Sequence, residues 1–463
     1  MSGVDAAFLY FETPSMHMHV CGVLVLDPST AKEGFGFERV RELLASRLVL
    51  IPEFRRKLSA TSLRLHHPVW VDLIDVPVAE HVTHVVLPAP GGVEELERAV
   101  ADFAEVQLDR SRPLWQVLVV EGLEDGRVAV VVKVHHCLVD GVAAGDVLAQ
   151  LVDLGPEGRT AGEIYEASRL VAERRRRPGL PEMLGHTVKG VVTRPVGIAR
   201  LVPSAAKAVT GLVRTRRSGE SAGGTMPFQG PRAPWNGSVT GRRVVALVDV
   251  PMGDVKAVKK ALGGTFNDVM MTVVGGAFHR YLDGSLDASL IAVLPVNVRR
   301  EGQRGGNQAS AMFSTLATDL ADPVERLEAI KAATAAGKAD QRALGGDIVE
   351  QAGALVEPIL VSFAARAYGA LRLADVHPVI HNLVLSNVPG PPIPLYLAGA
   401  RIDALVPLGP VLDGAGLNVT IVSYADTVGV GFIACADRIP DLRALAAQVR
   451  PSLDELLAVA ARP

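Results

Sequence analysis

The chain has 463 residues, 49% apolar, 21% charged and 5% aromatic, with a formal net charge of −3. That length exceeds what one hydrophobic core usually serves, so two domains are expected. The composition excludes a disordered chain, and the near-neutral charge gives no sign of a nucleic-acid partner.

In chain order, residues 17–26 are rich in Val and Leu and predict a strand. Residues 37–58 predict a helix with Val40, Leu43, Leu44, Leu48 and Ile51 on one side, and 93–106 predict a second. Two strands follow, 114–123 and 128–134, joined through Asp125-Gly126, a strong hairpin signal. Residues 141–154 predict a helix, with Asp140 at the position of an N-cap. Between 169 and 217 there are twelve Lys/Arg against two Glu, interleaved with apolar residues such as Leu180, Val188 and Leu201. Residues 218–234 are rich in Gly, Ser and Pro. The domains are therefore expected at 1–165 and 235–463, with a crossover at 166–234. The second half predicts strands at 243–250, 290–298, 382–388, 401–406, 417–424 and 428–435. Its helices are expected at 254–262, 268–282, 324–344, 348–373 and 441–461. Both halves are mixed α/β.

The cysteines, Cys21, Cys137 and Cys435, make no disulfide framework and fit a reducing, cytoplasmic setting. The first residues lack the basic-then-apolar order of a secretory signal. The apolar stretches 351–365 and 377–400 are interrupted by Glu357 and by prolines, so no membrane span is expected.

The strongest chemical statement is His135-His136-Cys137-Leu138-Val139-Asp140-Gly141, which directly follows the apolar strand 128–134. A histidine at a strand end can take a proton from a hydroxyl near neutral pH. Adjacent residues on a strand point to opposite sides, so at most one of the two rings faces a given cleft. The pair His66-His67 has an aspartate at 72 but no glycine after it, and reads as structural. His17, His19 and Cys21 would share one strand face, but zinc wants four placed ligands and the others are not found, so no metal is expected. No Gly-x-Ser-x-Gly elbow, P-loop or dinucleotide fingerprint occurs in the required context.

The heptad resembles the His-His-x-x-x-Asp-Gly motif of the CoA-dependent acyltransferase superfamily, which includes chloramphenicol acetyltransferase, plant acyltransferases and peptide-synthetase condensation domains. Further segments resemble the bacterial wax ester synthase/diacylglycerol acyltransferase family. They are residues 51–58, Pro113-Leu114-Trp115, Phe266-Asn267-Asp268, 294–299 and the run from Leu385 through Asn387, Pro389 and Gly390 to Pro391. They fall in the family's order and span nearly the whole chain. Two departures are Cys137, where the family often has Ala, and Gln116, where an acid is common.

The resemblance implies an α/β (α+β) fold of two chloramphenicol-acetyltransferase-like domains, each a mixed sheet with flanking helices, with an active-site channel at their interface. It implies an acyl-CoA-dependent O-acyltransferase that esterifies diacylglycerol or a long-chain alcohol. His136 would be the general base, with His135 beside it and no covalent acyl-enzyme. Asp140 would hold the turn, with Arg299 as candidate partner, and Gly141 would keep space beside the ring. Asn267, with Asp268, is the candidate donor to the oxyanion; the alternative is that Asn267 caps the following helix. Pro113, Leu114, Trp115, Arg299, Asn387, Pro389 and Gly390 would be structural. No cofactor is expected, acyl-CoA being a co-substrate. The basic segment 169–217 reads either as a solvated crossover or as a contact for anionic membrane or lipid bodies. The competing functions are a condensation-type acyltransferase with a carrier-bound donor and a non-catalytic lipid-binding protein.

Overall fold

The computed structural model describes residues 3–59, 67–138, 141–173, 225–297, 309–344 and 358–462. The first half contributes α1 (Gly3–Phe11), β1 (His19–Asp27), α2 (Phe37–Arg47), β2 (Arg56–Ser59), β3 (Val69–Asp72), β4 (Val82–Val86), α3 (Val93–Glu105), β5 (Trp115–Glu121), β6 (Val128–His135), α4 (Gly141–Leu151) and α5 (Ala161–Glu173). The second contributes β7 (Arg243–Pro251), α6 (Met252–Leu262), α7 (Phe266–Tyr281), β8 (Ile291–Asn297), β9 (Ala309–Thr315), α8 (Pro323–Leu344), α9 (Pro358–Ala370), β10 (Leu383–Pro389), β11 (Tyr396–Leu397), β12 (Ala400–Leu408), β13 (Leu417–Tyr424), β14 (Thr427–Cys435), α10 (Leu442–Ala446) and α11 (Val449–Ala460).

The helix expected over 37–58 stops at Arg47. Pro52 lacks an N–H and disfavours helical angles at the residue before it; Ile51 sits at φ −118, ψ 81. Two 3-10 turns follow, and the chain enters β2, which pairs with β3. The closing helix expected over 441–461 divides into α10 and α11, so that Pro451 lies in a first turn, where its missing N–H costs nothing. Of the helix expected over 348–373, the described part is α9. Asp125 and Gly126 take φ 65 and 70, the left-handed angles that the hairpin between β5 and β6 requires.

Apart from the β2–β3 pair, the described strands form two mixed sheets of six. The first runs β11-β12-β1-β6-β5-β4 and the second β7-β14-β13-β10-β8-β9. β11 and β12 come from the second half, yet β12 pairs antiparallel with β1, Val406 opposite Val23. The expected division of the chain at 235 therefore does not divide the sheets. This exchange brings β12 across β14. A Cβ on Gly429 would lie 2.1 Å from the Leu405 carbonyl oxygen, and one on Gly431 2.0 Å from that of Pro407. Only glycine lets the two backbones approach this closely.

α3 spans the halves from the other side. β7 is an edge strand, and unpaired edge N–H groups need partners. Glu97 accepts from the Leu247 N–H at 2.9 Å and Glu105 from the Arg243 N–H at 2.7 Å. Val23, Val131 and Val406 of the first sheet then share one apolar core with Val245 and Ile433 of the second. The second half has its own core around α7, where Val269, Val273, Val274 and Phe278 are wholly buried. Among the described residues no helix is long and apolar enough to cross a membrane.

Candidate active site

β6 is Val-rich because it lies centrally, paired with β1 on one side and β5 on the other. Both neighbours carry the ladder past its end. The His135 N–H donates to the Leu114 carbonyl at 3.0 Å, and the His136 N–H to that of Met18 at 2.8 Å. The backbone under both histidines is thereby fixed.

The two side chains have different surroundings. His135 is fully buried, and its Nδ1 accepts the Cys137 N–H at 3.1 Å. The ring proton of the neutral form is therefore on Nε2, which faces Glu12 Oε1 at 3.6 Å. Glu12 is buried and accepts from Arg110 Nε at 2.8 Å. Burial alone would raise its carboxyl; the His135 ring and the Arg110 guanidinium outweigh that and hold it below the ordinary carboxylate value. His136 is half-buried and lies flat on Phe8, ring centroids 4.1 Å apart and planes 12° apart. Asp140 and Arg299 fall outside the described residues, and Gly141 opens α4.

The segments expected to be structural support this strand end. Trp115 is wholly buried, donates Nε1–H to the Phe54 carbonyl at 2.9 Å, and stacks on Phe54 and His81 at 4.7 and 4.3 Å. Leu114 is wholly buried, and Pro113 bridges to Lys57. Lys133, two residues before His135, is buried and donates to the Phe103 and Val106 carbonyls at 2.7 and 2.8 Å, closing the C-terminal end of α3. Burial brings its ammonium down to about 8.

On the second sheet, the cap of α7 is Thr265, not Asn267. The Thr265 hydroxyl accepts the Asp268 N–H, while Asp268 Oδ2 accepts the Thr265 N–H at 2.8 Å. Asp268 Oδ1 accepts from the Thr334 hydroxyl of α8, also at 2.8 Å. Both of its oxygens are thus engaged, and a carboxylate has no proton to offer an oxyanion. The helix-capping alternative for Asn267 is corrected, and Asp268 acts as the brace of α7. Asn267 Oδ1 instead accepts from Asn387 Nδ2 of β10 at 3.2 Å, and its own Nδ2 donates to a thioether, Met271 Sδ, at 3.2 Å. Pro389 ends β10. At Gly390 a Cβ would lie 2.1 Å from the Ser423 carbonyl oxygen, so no larger residue fits.

Both His17 and His19 direct a ring nitrogen to the Ala104 carbonyl, and among the described residues no group of three or more His, Cys, Asp and Glu could hold an ion. His67 bonds the Tyr10 hydroxyl through Nδ1 at 2.7 Å, in keeping with a structural role. Sequence reasoning missed Glu12 and Phe8. Neither belongs to a local pattern, and only the fold brings α1 against β6. Arg110 was visible as part of the segment leading to Trp115, without a role.

Two mixed sheets, the first completed by β11 and β12 from the second half and ending in a histidine pair, form an architecture shared with solved acyltransferases. A trichothecene 15-O-acetyltransferase from Fusarium sporotrichioides has this fold over 99% of the present chain and 95% of its own, at TM-score 0.58 and 12% identity. A wax ester synthase/diacylglycerol acyltransferase from Marinobacter aquaeolei VT8 has TM-score 0.70 and 26% identity, covering 99% of this chain and 98% of that one. A candidate diacylglycerol O-acyltransferase of Mycobacterium tuberculosis (strain ATCC 25618 / H37Rv) is 38% identical over 467 residues, covering 99% of this chain and 90% of that protein. The family model described as wax ester synthase/diacylglycerol acyltransferase catalytic domain matches residues 1–270, and that of the WS/DGAT C-terminal domain matches 305–457. The chain belongs to the wax ester synthase/diacylglycerol acyltransferase family and is an acyltransferase of that type.

Proposed function

We propose that the protein joins the acyl group of an acyl-CoA to the hydroxyl of diacylglycerol or a long-chain alcohol, forming triacylglycerol or wax ester, with His136 as the base. The observation that carries this reading is the asymmetry of the histidine pair. His135 is fully buried, whereas His136 is half-buried and stacked on Phe8, on a backbone fixed at both sides. An alcohol is a poor nucleophile at neutral pH, and an imidazole suits its activation. The proton passes from the hydroxyl to the His136 ring as the alcohol oxygen bonds to the thioester carbonyl carbon. The tetrahedral oxyanion collapses, the carbon–sulfur bond breaks, and the imidazolium returns the proton to the CoA thiolate. Both substrates bind together, so no acyl-enzyme forms. The Asn267 amide supports the oxyanion, its Nδ2 being held, among the described residues, by a weak sulfur acceptor. No cofactor is required.

A radiolabelled acyl-CoA assay against diacylglycerol and a long-chain alcohol tests the reading. His136→Ala should abolish ester formation with either acceptor while thermal unfolding stays near wild type; undiminished turnover would refute the base. A lipid acceptor also favours a membrane or lipid-body contact through the basic residues 169–217. Flotation with anionic but not neutral vesicles is the expected result.

A further inference from the structure

The N-terminal helix touches both histidines, through residues that no motif marks. Phe8 of α1 carries the stacked ring of His136, and Glu12, the residue after α1, faces His135 Nε2. α1 is itself anchored: the Leu9 carbonyl accepts from Arg110 Nη2 at 2.7 Å, and Arg110 also holds Glu12.

We propose that α1 is a positioning element for the histidine pair, with Glu12 fixing the tautomer of His135 and the Phe8 ring seating His136 and favouring its protonated form. The proposal deepens the functional reading and rests on His136 being the base.

The argument for Glu12 is one of hydrogen-bond accounting. The Cys137 N–H can bond His135 Nδ1 only if that atom carries no proton. The proton must then sit on Nε2. Glu12 Oε1 and His135 Nε2 are both buried and 3.6 Å apart, and among the described residues neither has a closer hydrogen-bond partner, so the carboxylate is the polar group that faces this nitrogen. A carboxylate there favours Nε2–H, keeps the Cys137 contact, and so holds the turn on which His136 stands. Glutamine would break this. Its oxygen is drawn to Arg110, which turns its NH2 towards Nε2, and a donor at that nitrogen favours the other tautomer.

Phe8 acts differently. A cation within about 6 Å of an aromatic face is attracted to it. The imidazolium that forms when His136 takes the alcohol proton lies over Phe8 at 4.1 Å. Phe8 therefore stabilises the charged form and makes the ring a stronger base. Among the described residues, the charged and titratable groups on the elements that meet here include Asp5 of α1, Glu12, Arg110, His19 of β1, Lys133 of β6 and Cys137. The variants below change only Glu12, Phe8 or His136.

The experiment is steady-state kinetics of the full chain across pH 5–9 with acyl-CoA and diacylglycerol, alongside thermal unfolding. Phe8→Leu keeps the apolar bulk and removes the π face. Its kcat should fall roughly fivefold, and the acid limb of its profile should move about half a pH unit lower, the shift expected of a weakened cation–π contact. Phe8→Tyr, which keeps the face, should restore both. Glu12→Gln should lower kcat on the order of tenfold or more, with KM for both substrates little changed, and Glu12→Asp should recover part of it. The 15N shifts of labelled histidine should show His135 as Nε2–H in the wild type and mixed in Glu12→Gln. Wild-type kcat and pH profiles in Phe8→Leu and Glu12→Gln, with His136→Ala inactive, would overturn the proposal and leave the base in place. Activity surviving in His136→Ala would overturn the base itself, and the proposal with it.

Discussion

At Asn267 the side chain lies between Asn387 and a methionine sulfur, while Asp268, one residue on, is locked between Thr265 and Thr334. Their substitutions should separate accordingly. Asn267→Ala removes the proposed oxyanion donor and one amide contact; kcat should drop about a hundredfold with little change in urea unfolding. Asp268→Asn cannot accept at both oxygens and loses the reciprocal cap. Stability should fall by about 1–2 kcal/mol, with kcat per folded molecule near wild type. Equal loss of stability and turnover at Asn267 would assign it a structural part only. His381 carries a pH effect. Among the described residues neither ring nitrogen has a hydrogen-bond partner, Phe313 stands edge-on to it, and burial pulls it down to about 4. An unfolded histidine titrates near ~6.5. Between those values the unfolded chain takes a proton that the folded chain refuses, so stability falls as pH drops from ~6.5 and is unaffected above it. His381→Leu should flatten this limb by about 3 kcal/mol at pH 4 in urea titrations, without loss at pH 7. An unchanged acid limb would show that the ring is not the titrating group.

At the scale of elements, the local signals were legible and the non-local ones were not. β6, its hairpin and α4 announce themselves through Val periodicity, Asp125-Gly126 and a helical stripe, all within a few residues of each other. The end of α2 was misjudged because Leu48 and Ile51 continue the apolar spacing, and Pro52 overrides it. β4 was missed. It has only five residues and is largely exposed along one face, so it lacks an apolar run. The exchange of β12 left no trace in its own sequence: Ala400–Leu408 reads as a strand whichever sheet receives it. The nearest clue lay elsewhere, in Gly429 and Gly431, two glycines inside a strand pattern that mark a close backbone approach. The same division holds at the site. His136 was legible from its strand, its glycine and the resemblance, whereas Glu12 and Phe8 belong to it only through the packing of α1.

For the whole molecule, the strand exchange means that the first half lacks a part of its own sheet. In a fragment of residues 1–224, β1 would be an edge along its whole length, with unpaired N–H and C=O groups and the apolar side chains Val23 and Leu24 beside them. Such an edge is a template for aggregation. The edge strand β7 would in turn lose Glu97 and Glu105, and Arg443 its partner Glu97, when 225–463 is made alone. Neither piece should fold by itself. Expressed together they should form a one-to-one complex, because β12 can enter the first sheet without a covalent link and α3 can still cover β7. That complex should melt in one transition, since the core shared by Val23, Val131, Val245 and Ile433 couples the two sheets. Size-exclusion chromatography and calorimetry of the three preparations decide it. A monomeric 1–224 with its own cooperative melt would mean that the first sheet closes without β12, and the two halves would then be independent domains.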